Sequence, residues 1–97
     1  MPSYRVTMTI GALRPGSAAP AVMPLAAQAA KELTTVEASE LTIVAGAPRV
    51  IVRYTAEDAE LAAQIGAHTA AVTGTVAEVR TWMVTQRVDG RWRGVAE

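Results

Sequence analysis

No cysteine occurs in the chain, which removes disulfides, thiolate metal sites and thiol nucleophiles together. Phenylalanine is absent as well, and two tryptophans and two tyrosines make up the whole aromatic complement. The core must therefore be filled mainly by alanine, valine and other aliphatic side chains. Alanine buries little area, so helices rich in it approach a sheet closely while each residue contributes little transfer energy. A thin core of this kind favours self-association. His68 is the one histidine, and one imidazole without thiolates offers too few favoured ligands for a metal site. No metal and no cofactor are expected. Net charge is missing too: nine basic residues cancel nine acidic ones, so no global field draws the chain toward nucleic acid or an anionic bilayer. Lys31 is the only lysine and the other basic residues are arginine, the side chain suited to interfaces and bidentate anion contacts. The longest apolar stretch, 18–30, contains Pro20 and Pro24 and is shorter than the roughly 20 residues a membrane helix needs. Residues 1–13 alternate polar and apolar side chains and lack the apolar block of a signal peptide. These features predict a cytoplasmic protein that does not bind a membrane.

What is present fits one folded domain. Ninety-seven residues, 51% of them hydrophobic, suffice for a single domain over 1–97 and exclude a disordered chain. Tyr4, Val6, Met8 and Ile10 alternate with Arg5, Thr7 and Thr9, the pattern of a half-buried strand, and Leu13-Arg14-Pro15-Gly16 ends it. Over 20–33 the spacing becomes helical, with Val22, Leu25, Ala26, Ala29 and Leu33 on one stripe. A second strand is predicted over 34–45, where the parity of Val36 and Ala38 gives way to that of Leu41, Ile43 and Ala45. A β-bulge near Ser39-Glu40 reconciles the two. Gly46-Ala47-Pro48 turns the chain into a third strand over 49–54. Thr55-Ala56-Glu57-Asp58 resembles a capping box, opening a helix to about Val72 with Leu61 or Ala62, Ile65, Thr69 and Val72 buried and Gly74 as its stop. A long strand over 79–88 follows, and Asp89-Gly90 signals a hairpin to a short fifth strand over 91–95.

The order β-α-β-β-α-β, with a terminal hairpin strand, resembles the ferredoxin-like or split βαβ group. The resemblance is one of element order over nearly the whole chain. It implies an α+β two-layer sandwich, with both helices on one face of an antiparallel sheet, the first and third strands as central neighbours and a C-terminal β-hairpin extension. Parity then assigns the faces. Tyr4, Val6, Met8, Ile10, Val50, Val52 and Tyr54 lie under the helices, and Arg5, Thr7, Thr9, Arg49, Ile51 and Arg53 lie on the open face. Trp82 is expected inward, because a bare indole is costly beside a small core, which leaves Thr81, Met83 and Thr85 outward.

Arg5, Thr7, Thr9, Arg49 and Arg53 are the candidate ligand-binding residues, since guanidinium groups with hydroxyls between them suit a carboxylate or phosphate. With the first and third strands taken as parallel neighbours, Arg5 falls beside Arg49 and Arg53 beside Thr9. The competing reading pairs these arginines with Glu37, Glu40 or a partner chain. His68 lacks a carboxylate three or four positions away on its helix and reads as a partly exposed helix-edge residue, so no catalytic residue is assigned. Arg80, Arg87, Arg91 and Arg93 interleave with Trp82 and Trp92, a composition that can bind single-stranded nucleic acid. In a two-residue hairpin, however, Arg87 faces Trp92 as a cross-strand cation–π pair. The RNA-recognition fold shares this element order, but Arg49-Val50-Ile51-Val52-Arg53-Tyr54 lacks its glycine and aromatics, and nucleic acid is not the expected partner.

Leu13-Arg14-Pro15-Gly16 is similar to the turn after the first strand in the antibiotic-biosynthesis monooxygenases, small dimeric ferredoxin-like proteins. That resemblance implies an oxidation needing neither metal nor flavin, within a dimeric α+β barrel. The family's histidine-containing pattern at the start of the second helix has no counterpart in 54–59, so it carries no catalytic residue here. The sequence therefore predicts a non-enzymatic, self-associating domain, a homodimer or higher homo-oligomer through the sheet, whose open face forms the interface or holds a small anion. The alternative is a cofactor-independent oxygenase of that dimeric type.

Overall fold

In a computed structural model that describes residues 1–95, one five-stranded antiparallel sheet and two helices form an α+β fold. The elements are β1 (Ser3–Leu13), a 3-10 turn (Ala19–Ala21), α1 (Val22–Lys31), β2 (Val36–Val44), β3 (Ala47–Thr55), α2 (Ala59–Thr73), β4 (Ala77–Val88) and β5 (Arg91–Gly94). The strands lie in the order β2-β3-β1-β4-β5. No helix among the described residues is long and apolar enough to cross a membrane.

The predicted alternation of β1 and β3 sets the core. Tyr4, Val6, Met8, Val50, Val52 and Tyr54 are all buried, and the Tyr4 and Tyr54 rings stack at 6.4 Å between centroids. Trp82 lies opposite Met8 and packs against this core, leaving Met83 exposed on the other face. Small residues let the helices sit close. Ala26, Ala27, Ala29 and Ala30 are the buried stripe of α1 after Val22, and Gly66 takes α2 down onto Val84 and Trp82.

Several local features differ from the sequence expectation. Leu33 is exposed, because α1 is capped at Glu32 and the chain bends back through the Leu33 and Thr34 amides, both donating to the Ala30 carbonyl. The β2 bulge sits at Glu37, between the pairs Val36↔Tyr54 and Ala38↔Arg53, rather than at Ser39-Glu40. There the Glu37 carboxylate accepts from Ser3 Oγ at 2.8 Å and from Arg53 Nε at 3.2 Å. The β2–β3 turn is Ala45-Gly46 rather than 46–48, with φ of 52° and 80°, the left-handed pair that two-residue hairpins require. Asp89-Gly90 repeats that geometry, as predicted, with φ of 51° and 75°.

The cap of α2 also moves. Asp58 is itself the N-cap, accepting from the Leu61 amide at 2.8 Å, so Thr55 ends β3 instead of capping the helix. The apolar stripe ends in Thr73, not Val72. The Thr69 and Thr73 hydroxyls are buried by donating to the carbonyls of Ile65 and Thr69 at 2.8 and 2.7 Å. Replacing the cap, Asp58→Ala, is expected to cost about 1 kcal/mol, read as a lower urea midpoint with unchanged slope. Thr55→Ala should have the smaller effect, and the reverse ranking would return the cap to Thr55.

Candidate functional site

The open sheet face is built by five strands with fixed register. Arg5 is opposite Arg53, Thr7 opposite Ile51 and Thr9 opposite Arg49, while Thr85, Met83 and Thr81 of β4 flank Arg5, Thr7 and Thr9 on the other side. All lie on the face away from the helices, as side-chain parity required. The orientation of the central pair corrects the sequence reading. β1 and β3 are neighbours but antiparallel, because the α1 crossover brings β2 back in the direction of β1 and the β2–β3 hairpin then reverses the chain once. Arg5 therefore meets Arg53, and Arg49 sits beside Thr9, about 13 Å further along at the rise of an extended strand. The candidate residues form two groups on one face rather than a single cluster.

At one end, β5 supplies a residue that the sequence analysis left out of the site. Trp92 pairs with Arg87 across the terminal hairpin. Its ring reaches back over the sheet, with the guanidinium carbons of Arg5, Arg53 and Arg87 at 4.5, 5.5 and 6.0 Å from its centroid. These distances fall within the range of cation–π attraction. The signal was present in the sequence: the Asp89-Gly90 turn sets the hairpin register and puts Trp92 and Arg87 on the same side as Thr85. Between Trp92 and β2 lies a cleft of about 260 Å³ bordered by Arg5, Arg53, Ile51 and Glu40. At the other end Arg49, Thr7, Thr9, Thr81 and Met83 line a smaller recess of about 130 Å³.

Not all these cations are equally available. Arg53 pairs with Glu37 at 3.2 Å, the competing reading for that residue. Among the described residues, Arg5 and Arg49 make no ion pair, and the Nε of each is buried without a hydrogen-bond acceptor, as is the Thr85 hydroxyl. Buried donors of this kind are uncommon because an unmatched polar group costs about 1–3 kcal/mol.

The remaining candidates do not gather at a reacting centre. His68 Nε2 lies 3.5 Å from Glu32 Oε1, bridging α2 and the end of α1, with both side chains partly exposed. The Tyr54 hydroxyl donates to the Ala62 carbonyl at 2.7 Å, and burial, with the neighbouring Tyr4 adding to it, pushes its ionisation far above the ordinary tyrosine value. The cleft beside Trp82, formed with Arg14, Ala67, Ala70 and Gly74, is wide and shallow. The carboxyl-terminal arginines divide: Arg87 shares the open face with Trp92, whereas Arg91 and Arg93 take the opposite parity and Arg80 pairs with Glu78. Among the described residues no group of three histidine, aspartate or glutamate side chains could hold a metal ion. Comparison of the chain with protein-family models, with curated proteins and with solved structures found no match.

Proposed function

We propose that this chain is a non-enzymatic binding domain whose open sheet face takes up a small carboxylate or phosphate anion. The framework is read as a split βαβ, ferredoxin-like unit with β5 added beside β4. That reading is supported by β1 and β3 at the centre, flanked by β2 and β4. The observation that carries the functional reading is the pair of arginines, Arg5 and Arg49, whose buried Nε donors lack acceptors among the described residues. Each stands among hydroxyls and partly exposed on one face. An anion supplies the acceptors that the chain itself does not, and the guanidinium fork suits its geometry. Stacking the same face of a second copy on this one would set arginine rows against each other, while Glu37 and Glu78 on that face are already paired with Arg53 and Arg80. A free anion is the better-matched occupant.

The test uses Trp92 as reporter in a Trp82→Phe background, titrated with inorganic phosphate, sulfate and citrate. A saturable change in emission is expected at low ionic strength, weakening with added salt. Arg5→Gln should reduce affinity tenfold or more, since a charge-assisted hydrogen bond contributes about 1.5–3 kcal/mol. Calorimetry on Arg49→Gln reports the smaller recess separately. No saturable response to any of the three anions at millimolar concentration would reject this function.

A further inference from the structure

The two edges of the sheet are unequal. β5 has four residues, two of them arginine, whereas β2 runs for nine residues with almost its whole length exposed and with no proline or lysine. Long edge strands act as templates for another strand, and proteins ordinarily blunt them with charge, proline or brevity. The only charges on β2 are Glu37 and Glu40. Beyond them Leu41 and Ile43 are 57% and 61% exposed. Both project on the helix-bearing face, yet neither helix covers them. With Leu13, Val22, Met23 and Pro48 they line an apolar groove of about 290 Å³ that has no hydrogen-bonding side chain in its wall.

The hairpin register identifies the free backbone groups. The two-residue turn makes Val44 and Ala47 a hydrogen-bonded pair. Alternation along the ladder then directs the N–H and C=O of Thr42 and Glu40 toward β3 and those of Ile43, Leu41 and Ser39 outward. An incoming antiparallel strand must engage these three residues. A second copy of β2 does so when a two-fold axis passes through Leu41: Leu41 then meets its own counterpart, and Ser39 and Ile43 meet each other twice. In that register Glu40 lies opposite Thr42 of the second copy, a carboxylate beside a hydroxyl. Moving the axis to Glu40 opposes two carboxylates, which is destabilising, and moving it to Thr42 shortens the overlap.

We propose that this chain dimerises by antiparallel pairing of β2 with the β2 of a second copy about a two-fold axis at Leu41. The pairing makes one continuous sheet and joins the two apolar grooves across the seam. Standard interfaces bury about 800 Å² per partner from about 20–30 residues, against a total surface of 5511 Å² for this chain. The nine residues of β2 and the groove rim provide fewer contacts than that, so the dimer is concentration-dependent. The proposal is independent of anion binding, which uses the opposite face.

Because the chain contains no cysteine, a single introduced thiol reports the axis. Hydrogen-bonded antiparallel pairs have Cα atoms about 5.5 Å apart, inside the roughly 4.4–6.8 Å range of a disulfide. Leu41→Cys should oxidise to a linked dimer at high micromolar concentration, while Ala67→Cys on the exposed side of α2 stays unlinked. Light scattering on the unmodified chain should give twice the monomer mass, falling on dilution. Ile43→Lys should shift it to monomer, with dissociation at least tenfold easier. Should that variant fail to fold, Leu41→Pro removes only an outward donor and is tolerated at an edge, with the same expected shift. Three results overturn the proposal: a monomer at every concentration, a dimer that survives these folded variants, or Ala67→Cys cross-linking as fast as Leu41→Cys.

Discussion

Gly66→Leu is expected to abolish the cooperative thermal transition or lower its midpoint by on the order of 15 °C. Gly66 is a buried residue inside α2. A Cβ there would overlap Val84 Cγ2 and stand 3.4 Å from the Tyr54 hydroxyl and 3.5 Å from Trp82 Cζ3. Val84 is β-branched and buried on β4, so its restricted χ1 lets it yield little. Overpacking a well-packed core typically costs about 1–3 kcal/mol, and more for a group as large as a leucine side chain. In a domain of this size each 1 kcal/mol moves the midpoint by about 4–8 °C. Gly66→Ala is the sharper test, because helix propensity alone would stabilise it by about 1 kcal/mol. We expect net destabilisation of about 1–2 kcal/mol in urea titrations. Ala67→Leu, one residue along on the exposed side, should change stability little. A Gly66→Ala variant more stable than the parent would show that the helix does not approach the sheet as closely as described.

Alkali should unfold this protein cooperatively, with both tyrosines ionising in the same transition. Burial raises the pKa of Tyr54 strongly, with a smaller contribution from Tyr4. Burial also raises that of Tyr4, with Asp58 adding to it. A raised phenol pKa means that the fold prefers the neutral form. The associated stability is intact below the unfolded value of about 10 and is lost as pH climbs above it, because only the unfolded chain then releases protons. A phenol held neutral by the fold removes about 1.4 kcal/mol per pH unit between its unfolded and folded pKa, a window that is wide for Tyr54 and narrower for Tyr4. Over a few pH units that loss is comparable to the lower end of a total of about 5–15 kcal/mol, which brings the fold to its unfolding transition. With two tyrosines and no cysteine in the chain, tyrosinate absorbance and circular dichroism can be followed without interference, and the two curves should coincide. Tyr54→Phe should remove the larger part of the pH dependence. Tyrosines that titrate near pH 10 while the fold persists would contradict the burial of both rings.

How much of this was legible beforehand differs from element to element. The strand faces were readable because alternation in a strand is strictly two-fold. Tyr4, Val6 and Met8 could point only one way once Arg5, Thr7 and Thr9 pointed the other. The terminal hairpin was readable because Asp89-Gly90 takes the left-handed backbone that few other pairs accept. Element ends were less accessible. Asp58 and Thr55 are both competent caps, and the choice depends on where β3 stops pairing with β1. Leu33 continues the periodicity of α1 in sequence but falls beyond the bend at Glu32. The bulge was foreseen because two parities had to be reconciled, yet its place at Glu37 depends on Ser3 and Arg53, which lie far away in sequence. The candidate site was half legible: its five residues do share a face, but in two groups, and Trp92 joined them only through the hairpin.

The chain's own pattern of side chains determined that there are two helices and a sheet with a greasy and a polar face, and that arginine and threonine occupy the polar one. Those properties are local, set by backbone period and by the aversion of apolar groups to water. The tertiary structure alone decided that β1 and β3 run antiparallel, that Arg5 faces Arg53 rather than Arg49, that Trp92 spreads over both, and that β2 is left at an open edge. Strand direction and neighbour order depend on how the crossovers pack against the rest of the molecule, and no short stretch of sequence contains that information.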